Sequence, residues 1–289
     1  MSYAIQSLLT QDRAALESAL SLDSTTARIE VQMLLQHVLG VNRAYLLAHS
    51  ERELDEAETA AYRALLQRRL AGEPLAYILG EREFFGLNFK VSPATLIPRP
   101  DTELLVELAL QRIPHGLVLD LGTGSGAIAL SIAHSRPDVE VTAVDASAEA
   151  LEVACENTRR LNISNARFIQ SDWFSALTGE RFDLIVSNPP YIEDADAHLE
   201  QGDLRFEPRS ALASGADGLD DIRRIISDAK KHLNDSGWLM FEHGYDQATR
   251  VRELLEASGF VEVFSARDLS GIERVSGGRY AGASTQAIR

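Results

Sequence analysis

Three shortages bound what this chain can be. It has one cysteine in 289 residues, fewer basic than acidic side chains, and no apolar run near the about 20 residues that a membrane span requires. Cys155 cannot form an internal disulfide, which fits a reducing compartment. It lies in the helical pattern ALEVACENTRRL, where a small buried hydrophobe is expected rather than a nucleophile. Lys and Arg number 28 against 43 Asp and Glu, a formal net charge of -15. Such a surface repels a polyanion on average, so it argues against naked DNA or RNA as a partner unless a local basic patch intervenes. The N-terminal stretch MSYAIQSLLTQDRAALESAL has no basic segment followed by a long apolar core and a small-residue cleavage site. A soluble, cytoplasmic protein without membrane contact is expected. With 7 histidines but no H-E-x-x-H, and no possible cysteine cluster, no metal site is expected either.

The remainder is rich in periodic signal. Over residues 1–80 the apolar positions recur at helical spacing, as in Ile5, Leu8, Leu9 and Val31, Leu34, Leu35, Val38, Leu39, then Tyr62, Leu65, Leu66, Leu70. Gly40, Ser50 and Gly72 to Pro74 punctuate them, so four or five short helices in a bundle are expected, with either a stabilising or a substrate-docking role. Residues 81–100 place aromatics around Gly86 and then three prolines within eight residues, the pattern of a β-hairpin followed by a stiff loop. From 101 to 289 strand, turn and helix alternate, with Asp101 or Thr102 placed to cap the first helix. The strands read VLDL, VTAVD, ARFIQ, FDLIVS, GWLMFE and VEVFSAR, with helices near 220–233 and 246–258 between the later ones. This is an α/β domain with a mostly parallel sheet covered on both faces, which gathers ligands at the carboxyl ends of its strands. The tail AGASTQAIR is expected to fray.

Strand VLDL runs into Gly122, Thr123, Gly124, Ser125 and Gly126 and then into a helix. Glycines let backbone N–H groups approach a ligand, and the helix start offers unpaired donors. The spacing G-x-G-x-G differs from the dinucleotide pattern G-x-G-x-x-G. Asp120 can meet the amino end of a zwitterionic ligand or simply tie the loop. Asp145 ends the second strand 21 positions after Gly124, where an acidic side chain accepts from both ribose hydroxyls. After the third strand, Asp172 can accept from an adenine amino group or serve an ordinary turn, while Trp173 offers an apolar wall.

The segment Asn188, Pro189, Pro190, Tyr191 ends the strand FDLIVS. Consecutive prolines remove N–H donors and leave carbonyl oxygens, so the turn wants donors from its ligand. A planar NH2 group on an sp² carbon supplies two, for the Asn188 side-chain oxygen and the Pro189 carbonyl, with Tyr191 against its flat face. Such a nitrogen needs neither a metal nor a covalent intermediate to attack a methyl donor, only orientation.

With GTGSG, VD and SNPPY in this order, and with GEPLAYILGEREFFGLNFKVSPATLIPRPDTELLVE, GDLRFEPRSALASGADGL, FEHGYDQ and ERVSGGRY, nearly the whole chain resembles the HemK/PrmC family of release factor glutamine N5-methyltransferases. The resemblance implies a Rossmann-like class I S-adenosylmethionine-dependent methyltransferase domain with a seven-stranded sheet. It implies that Gly122 to Gly126, Asp145, Trp173 and Asn188 bind S-adenosylmethionine, and that Asn188 to Tyr191 hold the glutamine of the Gly-Gly-Gln loop of class-1 peptide chain release factors. The LIPRPDTE loop would close one wall, with Arg99 and Glu103 as contributors or as helix-entry ion-pair residues, and Asp203 to Gly218 would be a lid or partner-binding loop. Glu207 and Glu242 receive no role. The competing reading is an N6-adenine methyltransferase, which uses the same motif logic but must flip a base and hold phosphates.

Overall fold

The computed structural model describes residues 3–282, and the tail expected to fray falls from residue 283 onward outside the described residues. The chain divides into two compact units, residues 1–80 with 200–206, and residues 81–199 with 207–289.

The first unit holds five helices: α1 (Ile5–Leu20), α2 (Ser24–Leu39), α3 (Arg43–Ala48), α4 (Glu56–Leu70) and α5 (Leu75–Leu79). Their ends follow from local chemistry. Asp23 accepts from the backbone of Thr25 and Thr26 at the start of α2, Asp55 and Glu58 form a reciprocal capping box on α4, and Gly40 closes α2 at φ 63°. The apolar stripes meet in a core of Ile5, Leu8, Leu34, Leu35, Tyr62 and Leu66. Two clusters of buried polar side chains in this unit are paired. The Tyr62 hydroxyl donates to Asp12 at 2.9 Å, and Arg69 donates to Glu30 at 2.8 and 3.2 Å, to the Glu73 carbonyl at 3.0 Å and to Asp203 at 3.3 Å.

The second unit opens with the hairpin β1 (Glu81–Phe84) and β2 (Leu87–Lys90). Phe85 and Gly86 both take positive φ, 51° and 75°, the signature of a tight primed turn. There follow α6 (Glu103–Arg112), β3 (Gly116–Leu121), α7 (Ala127–Ser135), β4 (Val139–Asp145), α8 (Ala148–Arg160), β5 (Ala166–Gln170), β6 (Phe182–Ser187), α9 (Asp220–His232), β7 (Leu233–Glu242), α10 (Ala248–Ala257), β8 (Phe260–Arg267) and β9 (Glu273–Tyr280). The seven-stranded sheet runs β5-β4-β3-β6-β7-β9-β8. Strands β3 to β7 are parallel and β9 is antiparallel to both neighbours.

Each central strand is buried on both faces. Val118 joins one core with Leu105, Val106 and Ile132, whereas the next residue, Leu119, joins the other with Ile222, Ile226 and Val251. Cys155 on α8 is half-buried rather than enclosed. Because the chain leaves β3 toward β4 and β5 and returns to β6 on the other side, the loops after β3 and β6 diverge and open a crevice there.

Candidate active site

Register places the site. Leu121 pairs with Val144 on β4 and with Ser187 on β6, and Ser187 pairs with Phe241 on β7. One residue beyond these pairs lie Gly122, Asp145, Asn188 and Glu242, a single row across the carboxyl ends of adjacent strands. The crevice above this row is a cavity of about 560 Å³, lined among others by Gly122, Gly124, Asp145, Trp173, Asn188 and Pro190. That volume is in the range of small-molecule and cofactor sites.

On the β3–β4 side, Gly122, Gly124 and Gly126 all have left-handed φ, at 69°, 56° and 83°. The loop is held from both sides. Asp145 accepts the Gly124 N–H at 2.8 Å on one oxygen and the Ser147 N–H at 2.9 Å on the other. Each oxygen keeps a lone pair, so the carboxylate can still receive a pair of hydroxyl donors. The buried Asn157 donates to the Ser125 carbonyl at 2.9 Å and to the Lys90 carbonyl at 3.0 Å, and accepts from Lys90 N–H at 2.7 Å. Nothing in the helical run ENTRRL separates that asparagine from a surface one, so its bracing role was not legible.

Asp120 is fully buried; one oxygen accepts from the Thr123 hydroxyl at 2.6 Å and the Ala129 N–H at 3.2 Å, and the other has no hydrogen-bond partner. The loop-tying role is therefore present, and an acceptor remains over. Burial pushes its carboxyl up to about 7, against the two hydrogen bonds.

The Trp173 ring lies beside Gly122, whose absent Cβ would stand 3.5 Å from it, and its indole N–H donates to Asp221 at 3.2 Å. Asp172 also lines the cavity, and each of its oxygens accepts one hydrogen bond from Arg224, at 2.9 and 2.7 Å. That partner comes from α9, a pairing no local pattern announces.

On the β6 side, Ser187 donates to the Leu121 carbonyl at 2.8 Å and locks β6 to β3 under the motif. The Asn188 side-chain nitrogen donates to the Thr102 hydroxyl oxygen at 3.2 Å. Asn188 and Pro190 face the cavity; Pro189 and Tyr191 do not line it. Tyr191 is anchored instead, its hydroxyl donating to Glu242 at 3.1 Å and its carbonyl accepting from Gln247 at 2.9 Å. Arg99 lines the cavity and pairs with buried Glu207, which also accepts the Ile97 N–H at 2.9 Å, so the proline loop is tied down at its base. Glu103 accepts from Phe85 N–H at 3.0 Å and serves the hairpin turn rather than the cavity.

Residues 100–206 match the methyltransferase small domain family, and residues 7–80 match the PrmC N-terminal domain family. Release factor glutamine methyltransferase of Vibrio cholerae is 50% identical over 283 residues, which is 97% of this chain and 98% of that protein. The Escherichia coli protein of the same name is 48% identical over 259 residues, covering 89% of this chain and 94% of its own length. The chain belongs to the release factor glutamine methyltransferase family. A solved methyltransferase from Pyrococcus furiosus shares the fold at TM-score 0.54 and 22% identity, over 75% of this chain and 97% of that one.

In this family member Thr102, which lines the cavity, and Glu242, which lies in the row of strand ends beside it, are the residues to which motif reading gave no site role. A signal existed for one of them: GWLMFE ends in an acidic residue just as VTAVD does, and the register puts both in the same row. Among the described residues no group of three or more His, Cys, Asp or Glu is arranged to hold a metal ion, and no helix is long and apolar enough to cross a membrane.

Proposed function

We propose that this enzyme transfers the methyl group of S-adenosylmethionine to the side-chain amide N5 of the glutamine in the Gly-Gly-Gln motif of class-1 peptide chain release factors. The observation that carries this reading is that the glycine loop, Asp145, Asn188 and Pro190 open into one cavity from adjacent strand ends. The names of the relatives, which specify release factor glutamine, favour this acceptor over adenine. The net charge of -15 points the same way.

Gly122 to Gly126, Asp145 and Trp173 would hold S-adenosylmethionine, Asp145 through its spare lone pairs and Trp173 as an apolar wall. Asp172, each of whose oxygens accepts once from Arg224, keeps a lone pair on each and would accept from the adenine amino group. The cofactor supplies a methyl carbon made electrophilic by a sulfonium. The protein's part is to orient the acceptor. Asn188 Oδ1, on the cavity wall, would accept one amide hydrogen and the Pro189 carbonyl, beside the wall residue Pro190, the other, which would turn the nitrogen lone pair toward the methyl and away from conjugation with the acyl group. Orientation of this kind lowers a barrier by at most about 7–11 kcal/mol, and no strong base is needed because the alkylated nitrogen is acidic and releases its proton afterwards. A carboxylate in place of the amide would leave both acceptors unpaired and repelled, so glutamate is rejected. The helical unit 1–80 serves as the docking domain, 81–100 as the link, 101–289 as the catalytic domain, and the enzyme works in the cytoplasm.

The test is transfer of labelled methyl to a purified release factor, its Gln→Glu variant and duplex DNA, by wild type and Asn188→Ala. Label on the glutamine protein alone, lost in Asn188→Ala, is expected; label on DNA would promote the adenine reading.

A further inference from the structure

We infer that Gln247 is a positioning residue for methyl transfer: its buried side-chain amide holds the Tyr191 carbonyl and thereby sets where the Pro189–Pro190 turn presents its acceptors. This rests on the proposed reading of that turn as the seat of the glutamine amide.

Pro189 and Pro190 have no N–H, so the turn can be tied down only through its carbonyls and through the residues at its ends. Tyr191 is one of those ends. Its N–H donates to the Leu212 carbonyl at 3.2 Å, its hydroxyl donates to Glu242 at 3.1 Å, and its carbonyl accepts from Gln247 Nε2 at 2.9 Å. The last is the contact in which a buried side chain grips the main chain of the motif. Gln247 is 3% exposed at the entry to α10 and does not line the cavity, so it acts on the turn from behind.

The amide sits one way round because backbone groups decide it. The Gly244 N–H donates to Gln247 Oε1 at 2.8 Å, and an N–H cannot accept in return. That sends Nε2 to the opposite end, where the Tyr191 carbonyl and, at 3.4 Å, the Gly218 carbonyl can only accept. One NH2 group thus joins the proline turn to the end of segment 203–218. Gly218 has φ 71°, and a Cβ there would overlap the Tyr191 carbonyl oxygen and Gln247 Nε2, so no side chain fits at this junction.

Gly244 is held in its turn. Its carbonyl accepts from the Gln247 N–H at 3.1 Å and lies 2.9 Å from His243 Nδ1, which must therefore carry a hydrogen. His243 is fully enclosed, and burial keeps its ring on the neutral side, leaving Nε2 to accept from the Ser276 hydroxyl at 2.8 Å. With its hydrogen so spent, Ser276 accepts from the Ser265 hydroxyl at 2.6 Å, and Ser265 accepts from Arg252 at 2.6 Å. An arginine only donates, so direction runs unbroken from Arg252 to the Gly244 carbonyl.

The experiment compares wild type, Gln247→Met and Gln247→Glu as full chains on a purified release factor between about pH 6 and 8.5, with S-adenosylmethionine affinity measured by calorimetry alongside. Gln247→Met keeps the length and loses both hydrogen-bonding ends. Its kcat is expected to fall about 100-fold, the scale of a reacting group displaced by about 1 Å, while cofactor affinity stays within about twofold because the glycine loop and Asp145 are untouched. Gln247→Glu carries its own control. Ionised, it faces two carbonyls with nothing to donate; protonated, its O–H can reach the Tyr191 carbonyl while the other oxygen still accepts from Gly244. Burial among carbonyls raises such a carboxyl into the range tested. Its kcat relative to wild type is therefore expected to rise about tenfold per pH unit lowered until the group is protonated, whereas the Gln247→Met ratio stays flat.

Lost packing alone would produce no such recovery. Should either variant not fold, Gly218→Ala reads the same junction from its other side, pushing the Tyr191 carbonyl off an intact Gln247, and reduced kcat with unchanged cofactor affinity is expected. Wild-type turnover in Gln247→Met or Gly218→Ala, a pH-independent ratio in Gln247→Glu, or a loss of cofactor affinity that matches the loss of kcat overturns the inference and leaves the proposed function intact. Failure of wild type itself to methylate glutamine overturns the proposed function.

Discussion

Asp145 accepts the backbone N–H of Gly124 at 2.8 Å, so the end of one strand sets the shape of the loop that leaves its neighbour. Asp145→Ala removes that tie together with the acceptors proposed for a ribose. Hydrogen bonds to a charged group contribute about 1.5–3 kcal/mol each, so affinity for S-adenosylmethionine is expected to drop about 10- to 100-fold by calorimetry, with Asp145→Asn intermediate because it keeps one acceptor oxygen. Equal affinity in all three proteins would remove Asp145 from the cofactor site.

Gly124 and Gly126 should behave differently toward alanine. At Gly124 a Cβ meets nothing within 4 Å, so only the left-handed φ is penalised, by about 1 kcal/mol. At Gly126 the Cβ meets Leu130 at 3.0 Å and Ala154 at 3.3 Å as well, and a loss of about 2 kcal/mol is expected from urea denaturation. Gly124→Ala as the more damaging change would contradict this account.

Most of the fold could be read from the sequence because parallel strands buried on both faces are unbroken apolar runs and helices carry their periodicity openly. The strand β9 could not. Its Gly277 and Gly278 carry no side chains to show alternation, and they are there for packing: a Cβ on Gly277 would lie 2.6 Å from the Leu239 carbonyl. At the site, the glycine loop and the proline turn announce themselves because their chemistry is backbone chemistry. Thr102, Asn157 and Glu242 make their hydrogen bonds to partners tens of residues away, which leave no mark on local spacing.

Asp120 makes stability depend on pH. Its folded-state value of about 7 stands above the ordinary 3.8, so the native protein takes up this proton more readily than the unfolded chain. The carboxylate therefore costs stability above about pH 7, and the cost fades as pH falls from there toward 4. Asp120→Asn carries no such charge. Its stability relative to wild type should accordingly be greatest at pH 8 and decline by up to about 2 kcal/mol on going to pH 5.5, measured by denaturation without cofactor. A pH-independent difference would mean that Asp120 does not titrate in this window.

In the helical unit, Arg69→Met strands the Glu30 carboxylate, whose side chain is 12% exposed. Losing one partner of a buried pair costs about 3–5 kcal/mol, whereas Arg69→Met with Glu30→Met should recover most of the loss. Denaturation curves of the single and double variants decide the matter, and additive losses would show that the pair is not coupled.

The sheet also constrains how the chain can be made. Strand β9 comes last among the described strands, yet it lies inside the sheet between β7 and β8. Until residue 280 has left the ribosome, β7 presents an open hydrogen-bonding edge and β8 has no neighbour. Domains begin folding during synthesis when their elements emerge in usable order. Here the sheet can close only by insertion of a late segment, so a nascent chain stalled before Glu273 is a partly built sheet in need of protection from pairing with other chains.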